Sequence, residues 1–265
     1  MSLLKRHLAP FGEEVWSAIE GEAAAVFKRR LTSRKVADFK GGLGLAFAGA
    51  NSGRVTAVKE KLRGATVGIR ETLPVIELKV PFTLKRSETE LLLREAGSFD
   101  NTAVVDAANA LCAAENSLVF DGYKNIDGIV SAVANAPVKV AGDDILTGVG
   151  EAIYALKNAH VGGKYALLIQ PQYYAKLFTL SGSGGYPLTK KLGELLGGGE
   201  VIATGALKEG ALVVSLRGGD YEILSGVDIS IGYDGALPNG DCELFFFETL
   251  TFRVNTPEAA VKLSF

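Results

Sequence analysis

Histidine and cysteine are scarce in this chain: of 265 residues, two are His and two are Cys, with one Met and one Trp. Histidine is the commonest metal ligand and the one side chain that ordinarily titrates near neutral pH. Neither His7 nor His160 has a second His or Cys at ligand spacing, which argues against a zinc site. His160 falls at the end of a helical pattern, where the helix dipole favours a cation. Cys112 lies on the apolar face of a helical stretch and reads as a buried small hydrophobe rather than a nucleophile. Cys242 opens a strand. With no CxxC, the chain fits a reducing cytosol better than a disulfide scaffold. Phosphate and nucleophile motifs are missing too. Gly41-Gly42-Leu43-Gly44 and the loop around Gly182–Gly185 match neither GxGxxG nor GxxxxGK[ST], and no GxSxG elbow occurs. Adjacent carboxylates, Glu13-Glu14 and Asp143-Asp144, both open helices, where capping and the dipole explain them. No apolar run approaches the ~20 residues of a membrane helix, and MSLLKRHLAP lacks the apolar stretch of a secretory signal. The chain carries a net charge of −2 and, apart from Lys28-Arg29-Arg30, no basic cluster, so nucleic acid is not an expected partner. These absences together predict no catalytic residues, no metal and no cofactor.

What the chain has in quantity is apolar surface. Hydrophobic residues make up 48% and charged residues 22%, and the mean hydropathy is +0.21. A large core, or apolar surface buried between subunits, accounts for that balance. Trp16, Ile19, Ala23, Val26 (with Phe27) and Leu31 recur at helical spacing and predict a helix over Glu13–Leu31. Further helices are predicted over Asn101–Phe120 and Ile145–Ala159, with short ones after Pro171 and over Leu188–Leu196. Residues 41–53 are rich in glycine and read as a loop or extended arm. Residues 51–90 read as a long β-hairpin turning at Glu60–Gly64, which cannot bury its apolar side alone. Tyr165–Ile169 reads as a buried strand. From Glu200 onward strands predominate: Glu200–Ala203, Ala211–Leu216, Tyr221–Leu224, Val227–Tyr233, Glu243–Val254 and Ala259–Leu263. Helices and strands mix without regular βαβ alternation, so the fold class is α+β.

Several segments resemble one family. They are Leu4–Pro10 with Trp16, Ile19, Phe27, Leu31 and Arg34–Asp38; Leu73–Phe82; Glu115–Tyr123 with Gly128-Ile129; Gly185–Leu188; Arg217–Tyr221 running into Asp228–Tyr233; and Glu248–Val254 with Pro257–Ala259. In this order they resemble the encapsulins, bacterial protein nanocompartments built on the tailed-phage major capsid protein fold. The resemblance implies a peripheral P-domain, an apical A-domain and an extended E-loop. It places the N-terminal helix and arm of the P-domain at 1–50, the E-loop at 51–95, the P-domain spine helix at 96–130, the A-domain at 131–225 and returning P-domain strands at 226–265. It implies a cytoplasmic icosahedral shell, in its smallest form ~60 copies, that encapsulates a cargo enzyme for iron storage or oxidative-stress defence. The cargo, ferritin-like or a peroxidase, would dock through a C-terminal targeting peptide on Phe27, Arg34, Asp38, Asp228, Ile229, Ile231 and Tyr233. A loop of Ser181, Gly182, Ser183, Gly184, Gly185 and Tyr186 would line a pore. Gly185 stands where many relatives carry histidine, and with Trp16 the only tryptophan, no Trp is available for a flavin platform on the E-loop. The competing readings are a phage or prophage major capsid protein, which the acidic balance does not favour, and a hydrolase or secreted bacteriocin, which lacks a catalytic set.

Overall fold

In the computed structural model, which describes residues 3–94, 98–141, 144–179 and 187–265, the first amphipathic pattern becomes helix α1 (Glu13–Arg30). Val15, Trp16, Ile19, Ala23 and Val26 form its buried stripe. Glu13 and Glu14 in the first turn and Lys28, Arg29 and Arg30 in the last complement its dipole. A short strand, β1 (Asp38–Lys40), precedes the glycine-rich arm. Strands β2 (Gly49–Leu62) and β3 (Ala65–Pro74) then form a two-stranded antiparallel hairpin. Its turn is Arg63-Gly64, with φ of 47° and 89°. Positive φ at both central residues is the type I′ geometry, whose twist matches that of the flanking strands.

The turn lies where expected, but the hairpin is shorter than 51–90. After Pro74 the chain leaves it. Strand β4 (Ile76–Leu84) pairs along β12 (Cys242–Val254), and α2 (Arg86–Leu93) follows. An alternating run serves a hairpin arm and a sheet strand equally well, so periodicity does not locate the exit. Pro74, which cannot donate to a ladder, marks it.

Helix α3 (Thr102–Phe120) starts where Asp100 Oδ1 accepts from the Thr102 N–H at 3.1 Å. A small hairpin of β5 (Gly122–Tyr123) and β6 (Ile126–Asp127), the single turn α4 (Ile129–Ala132) and strand β7 (Val138–Lys139) lead to α5 (Ile145–Asn158). Asp144 caps α5 by accepting from the Thr147 N–H at 3.2 Å. Strand β8 (Tyr165–Ile169), helices α6 (Pro171–Thr179) and α7 (Leu188–Leu195), and strands β9 (Val201–Ala203) and β10 (Ala211–Ser215) complete the middle of the chain. Strand β11 (Tyr221–Ala236) is one long strand where two were expected, because a register shift between Ser225 and Val227 interrupts the alternation without ending the pairing. The last strand is β13 (Ala260–Ser264).

Two sheets organise these elements. One has the order β1-β11-β12-β4 and the other β7-β13-β10-β8-β9. In the first, β12 lies between β11 and β4 and is buried along nearly its whole length. Its Phe245-Phe246-Phe247 run is the sequence of a strand covered on both faces. The final strands do not all return to this sheet. After the 3₁₀ turn Pro257–Ala259, β13 pairs with β10 and β7, so 260–264 joins the five-stranded sheet. Two cores result. Helices α1 and α3 pack on β4, β11 and β12 through Trp16, Leu111, Phe246 and Ile231. Helices α5 and α7 pack with the five-stranded sheet through Leu156, Leu192, Leu167 and Val213. Where α7 runs back toward that sheet, Gly199 lies so close to β8 that an added Cβ would stand 1.7 Å from the Tyr165 carbonyl oxygen.

Candidate functional site

Two features stand out from the folded subunit. The first is the β2–β3 hairpin, which pairs with no third strand among the described residues. Three of its large apolar side chains are bare: Val55 is 61% exposed, Leu62 70% and Ile69 60%. An isolated two-stranded ribbon is marginal in water, and both its edges carry free ladder positions.

The second is a charge network where α3, β12 and the 3₁₀ turn Ser33–Lys35 meet. Arg34 donates from Nε and Nη2 to Glu115 Oε2 at 3.0 and 2.8 Å, and from Nη2 to Glu248 Oε1 at 2.8 Å. Its Nη1 pairs with Asp228 Oδ1 at 2.9 Å. Ser33 Oγ donates to Glu115 Oε1 at 2.7 Å. Glu115 and Glu248 are fully buried. Burial pushes the Glu248 carboxyl up to about 9, and the negative charge of Glu115 adds to the shift. Glu248 is therefore protonated at neutral pH. Burial by itself favours loss of the Arg34 proton, but the hydrogen bonds and charge of Glu115, with the charge of Asp228, outweigh it and hold the guanidinium charged. Among the described residues Glu248 Oε2 has no hydrogen-bond partner. Neither glutamate was assigned a role from the sequence, though the signal was there. Each is a carboxylate inside a mostly apolar run, Leu111–Phe120 and Leu244–Phe252, and a buried carboxylate requires either a partner or a proton.

The seven residues expected at a docking groove divide into three groups. Phe27 on α1 is half-buried and meets the Phe246 ring edge-on, with centroids 5.5 Å apart. Ile229 is half-buried against the same core, and Asp228 is exposed beside Arg34. Ile231 and Tyr233, further along β11, are buried in that same α1–α3 core, at 4% and 8% exposure. Over Tyr233 the N-terminal segment closes the strand, since the Leu4 carbonyl accepts from the Tyr233 N–H at 2.8 Å. Asp38 pins a turn: its Oδ2 accepts from the Gly219 N–H at 2.6 Å, in the Arg217–Asp220 turn, where Arg217 Nη2 and Asp220 pair at 2.8 Å. The structure thus leaves Arg34 and Asp228 paired and reachable, Phe27 and Ile229 half-buried on the α1–α3 core, and Ile231 and Tyr233 within that core, while Asp38 is exposed and serves the turn. The expected pore loop, Ser181–Tyr186, lies outside the described residues.

Burial pushes the Cys112 thiol up to about 12, and Glu115 adds to the effect, so no thiolate is available. His160 has φ of 58° just past the end of α5, and its carbonyl accepts from Arg217. Among the described residues no group of three or more His, Cys, Asp and Glu could hold a metal ion.

Comparison with known proteins fits this geometry. A family described as "Encapsulating protein for peroxidase" matches residues 1–251. The type 1 encapsulin shell protein of Mycolicibacterium paratuberculosis is 37% identical, covering 100% of both chains. That of Rhodospirillum rubrum is 38% identical, covering 99% of this chain and 96% of its own. Among solved structures, the virus-like particle from Pyrococcus furiosus superposes with a TM-score of 0.68 at 22% identity, covering 97% of this chain and 100% of that one. The capsid of an empty GTA particle superposes at 0.57 with 15% identity, covering 89% and 90%. These likenesses show the capsid fold, with its P-domain, A-domain and E-loop. With relatives more than a third identical from end to end, and a family match over residues 1–251, the chain belongs to the encapsulin shell protein family.

Proposed function

We propose that this chain is a structural subunit that assembles with copies of itself into a closed icosahedral nanocompartment in the cytoplasm and encloses a cargo enzyme. The observation that carries this reading is the β2–β3 hairpin, whose exposed Val55, Leu62 and Ile69 have nothing to cover them in the subunit. A neighbouring copy supplies the missing cover, and a rotation-symmetric shell supplies the neighbour at every position. The smallest such shell has about 60 copies, the order of the icosahedral rotation group. In this reading β2–β3 is the E-loop. The P-domain is built on α1, α3 and the four-stranded sheet, and the A-domain on the five-stranded sheet and its helices.

The family description names a peroxidase, and a relative in Pyrococcus furiosus, 26% identical over 69% of this chain, is a ferritin-like–encapsulin shell fusion. Cargo of either kind fits a role in oxidative-stress defence or iron storage. The chain itself is not an enzyme in this reading. Phe27 and Ile229 would anchor aliphatic side chains of the cargo's C-terminal peptide, and Asp228 beside Arg34 would orient its polar groups.

The deciding measurement is the native mass of the purified protein with images of the same sample. Closed particles in the megadalton range are expected. A monomer across salt and pH would overturn the reading, and particles filled with DNA would favour a phage capsid instead. The groove is tested separately with Ile229→Asp in intact shells. Ile231→Asp would place a charge in the core and is not informative. Undiminished cargo loading in Ile229→Asp shells would remove the groove assignment.

A further inference from the structure

A second surface feature lies outside the Arg34 network. A cleft of about 810 Å3 opens between the last turn of α1, the middle of α3 and the β9–β10 loop. Its volume falls within the ~300–1,000 Å3 of small-molecule sites. Three cations line it, Arg29, Arg30 and Lys208, against one carboxylate, Asp121. Three minus one leaves an excess of +2, in a chain whose net charge is −2. Asp121 is already taken up by Lys208 at 3.2 Å. Among the described residues the guanidinium groups of Arg29 and Arg30 have no hydrogen-bond or ion-pair partner.

A cation in the last turn of a helix is favoured by the dipole, which accounts for some of this charge on the α1 wall. It does not account for what faces it. The β9–β10 side of the cleft presents Gly205, whose N–H has no hydrogen-bond partner among the described residues and where an added Cβ would meet nothing within 4 Å. Pro171, the first residue of α6, brings the positive end of that helix to the same cleft. The floor is polar and already ordered: the Thr32 and Thr204 hydroxyls meet at 2.9 Å, and Asn116 Nδ2 donates to the Arg30 carbonyl at 2.8 Å. The cleft is therefore lined by donors that have no partner among the described residues, Arg29, Arg30 and the Gly205 N–H, while its one lining carboxylate is paired with Lys208.

We infer that this cleft binds a doubly charged phosphoryl group, either free phosphate or the phosphate ester of a small molecule, gripped by Arg29 and Arg30 on one wall and by Lys208 and the Gly205 N–H on the other. The planar guanidinium fork matches phosphate oxygens two at a time, which suits Arg to this task better than Lys. The ligand is a solute distinct from the enclosed enzyme, and its binding does not depend on the docking groove.

The test is isothermal titration of the protein in its native assembly state, in a phosphate-free buffer at physiological ionic strength, with inorganic phosphate and with adenosine monophosphate as probes. Saturable binding near one site per subunit is expected. Free phosphate binding at least as tightly as the nucleotide assigns the inorganic anion, and tighter nucleotide binding assigns an ester. The double variant Arg29→Ala/Arg30→Ala should bind about tenfold more weakly or worse. Both side chains are exposed, so its particle mass and melting temperature should match the parent. Lys28→Ala, which removes a neighbouring charge that does not line the cleft, should bind as the parent does. The inference fails if neither probe binds saturably, if the double variant keeps the parent affinity, or if Lys28→Ala weakens binding as much as the double variant.

Discussion

Replacing Glu248 by glutamine should stabilise the subunit, and by more as the pH rises. The buried carboxyl titrates at about 9 in the folded chain against an ordinary 4.5. Its folded value lies above its unfolded value, so its contribution is fully present below about pH 4.5 and is lost as the pH rises toward about 9. Over that window the folded state holds a proton that the unfolded chain releases, and stability falls by about 1.4 kcal/mol per pH unit. At pH 7 the accumulated loss is about 3 kcal/mol. Glutamine presents the same shape in a permanently neutral form. Its oxygen can still accept from Arg34 Nη2, where Glu248 Oε1 now does at 2.8 Å, and its amide nitrogen takes the place of the unpartnered Oε2. For a chain of this size ~2 °C per kcal/mol gives a melting temperature about 6 °C above the parent at pH 7. The assay is thermal unfolding of parent and Glu248→Gln in parallel from about pH 5 to about pH 8. The gap should be small at the acid end and widen toward the alkaline end. A gap that is constant with pH, or that narrows, would refute the assignment of a buried neutral acid at this position.

Other substitutions test the same framework. Arg34→Ala leaves Glu115 buried without its cation and should destabilise by about 3–5 kcal/mol, while Arg34→Lys, which keeps the charge but loses the fork, should fall between; denaturant midpoints of the two against the parent check the order. Gly199→Ala should lower stability by more than about 2 kcal/mol, because the new Cβ would collide with the Tyr165 carbonyl; an unchanged melting temperature would show that β8 can move aside. Ile69→Asp should leave the circular dichroism of the subunit intact, since the side chain is exposed, and should abolish assembly as read by native mass. Cys112 should resist alkylation at neutral pH in the native protein and react only after unfolding, as followed by intact mass, because its thiol is held far from the thiolate.

Much of the local structure was legible in the chain itself. Helix α1 begins where its carboxylates are and ends where its basic residues are, and its buried face is the apolar stripe at helical spacing. Strand β8 coincides with the predicted Tyr165–Ile169, and the hairpin turns inside Glu60–Gly64. These features arise from hydrogen bonds and side-chain contacts between residues a few positions apart, so periodicity and turn chemistry report them directly. The six family-like segments carried the fold class and the family as well.

What the tertiary structure alone decided concerns residues far apart in the chain. Strand β4 leaves the hairpin for β12, and β13 crosses to the five-stranded sheet; the pairing of residues far apart in the chain decides this, not the alternation that both destinations share. Ile231 and Tyr233 were expected at a surface groove, and the packing of α1 and α3 over that end of β11 made them core. Arg34 reaches Glu115 across 81 residues and Glu248 across 214. Sequence could show that each buried glutamate needs a proton or a partner. Only the three-dimensional arrangement places one cation between two of them, and with two buried carboxylates sharing one guanidinium, it is the charge of Glu115 together with burial that leaves Glu248 neutral.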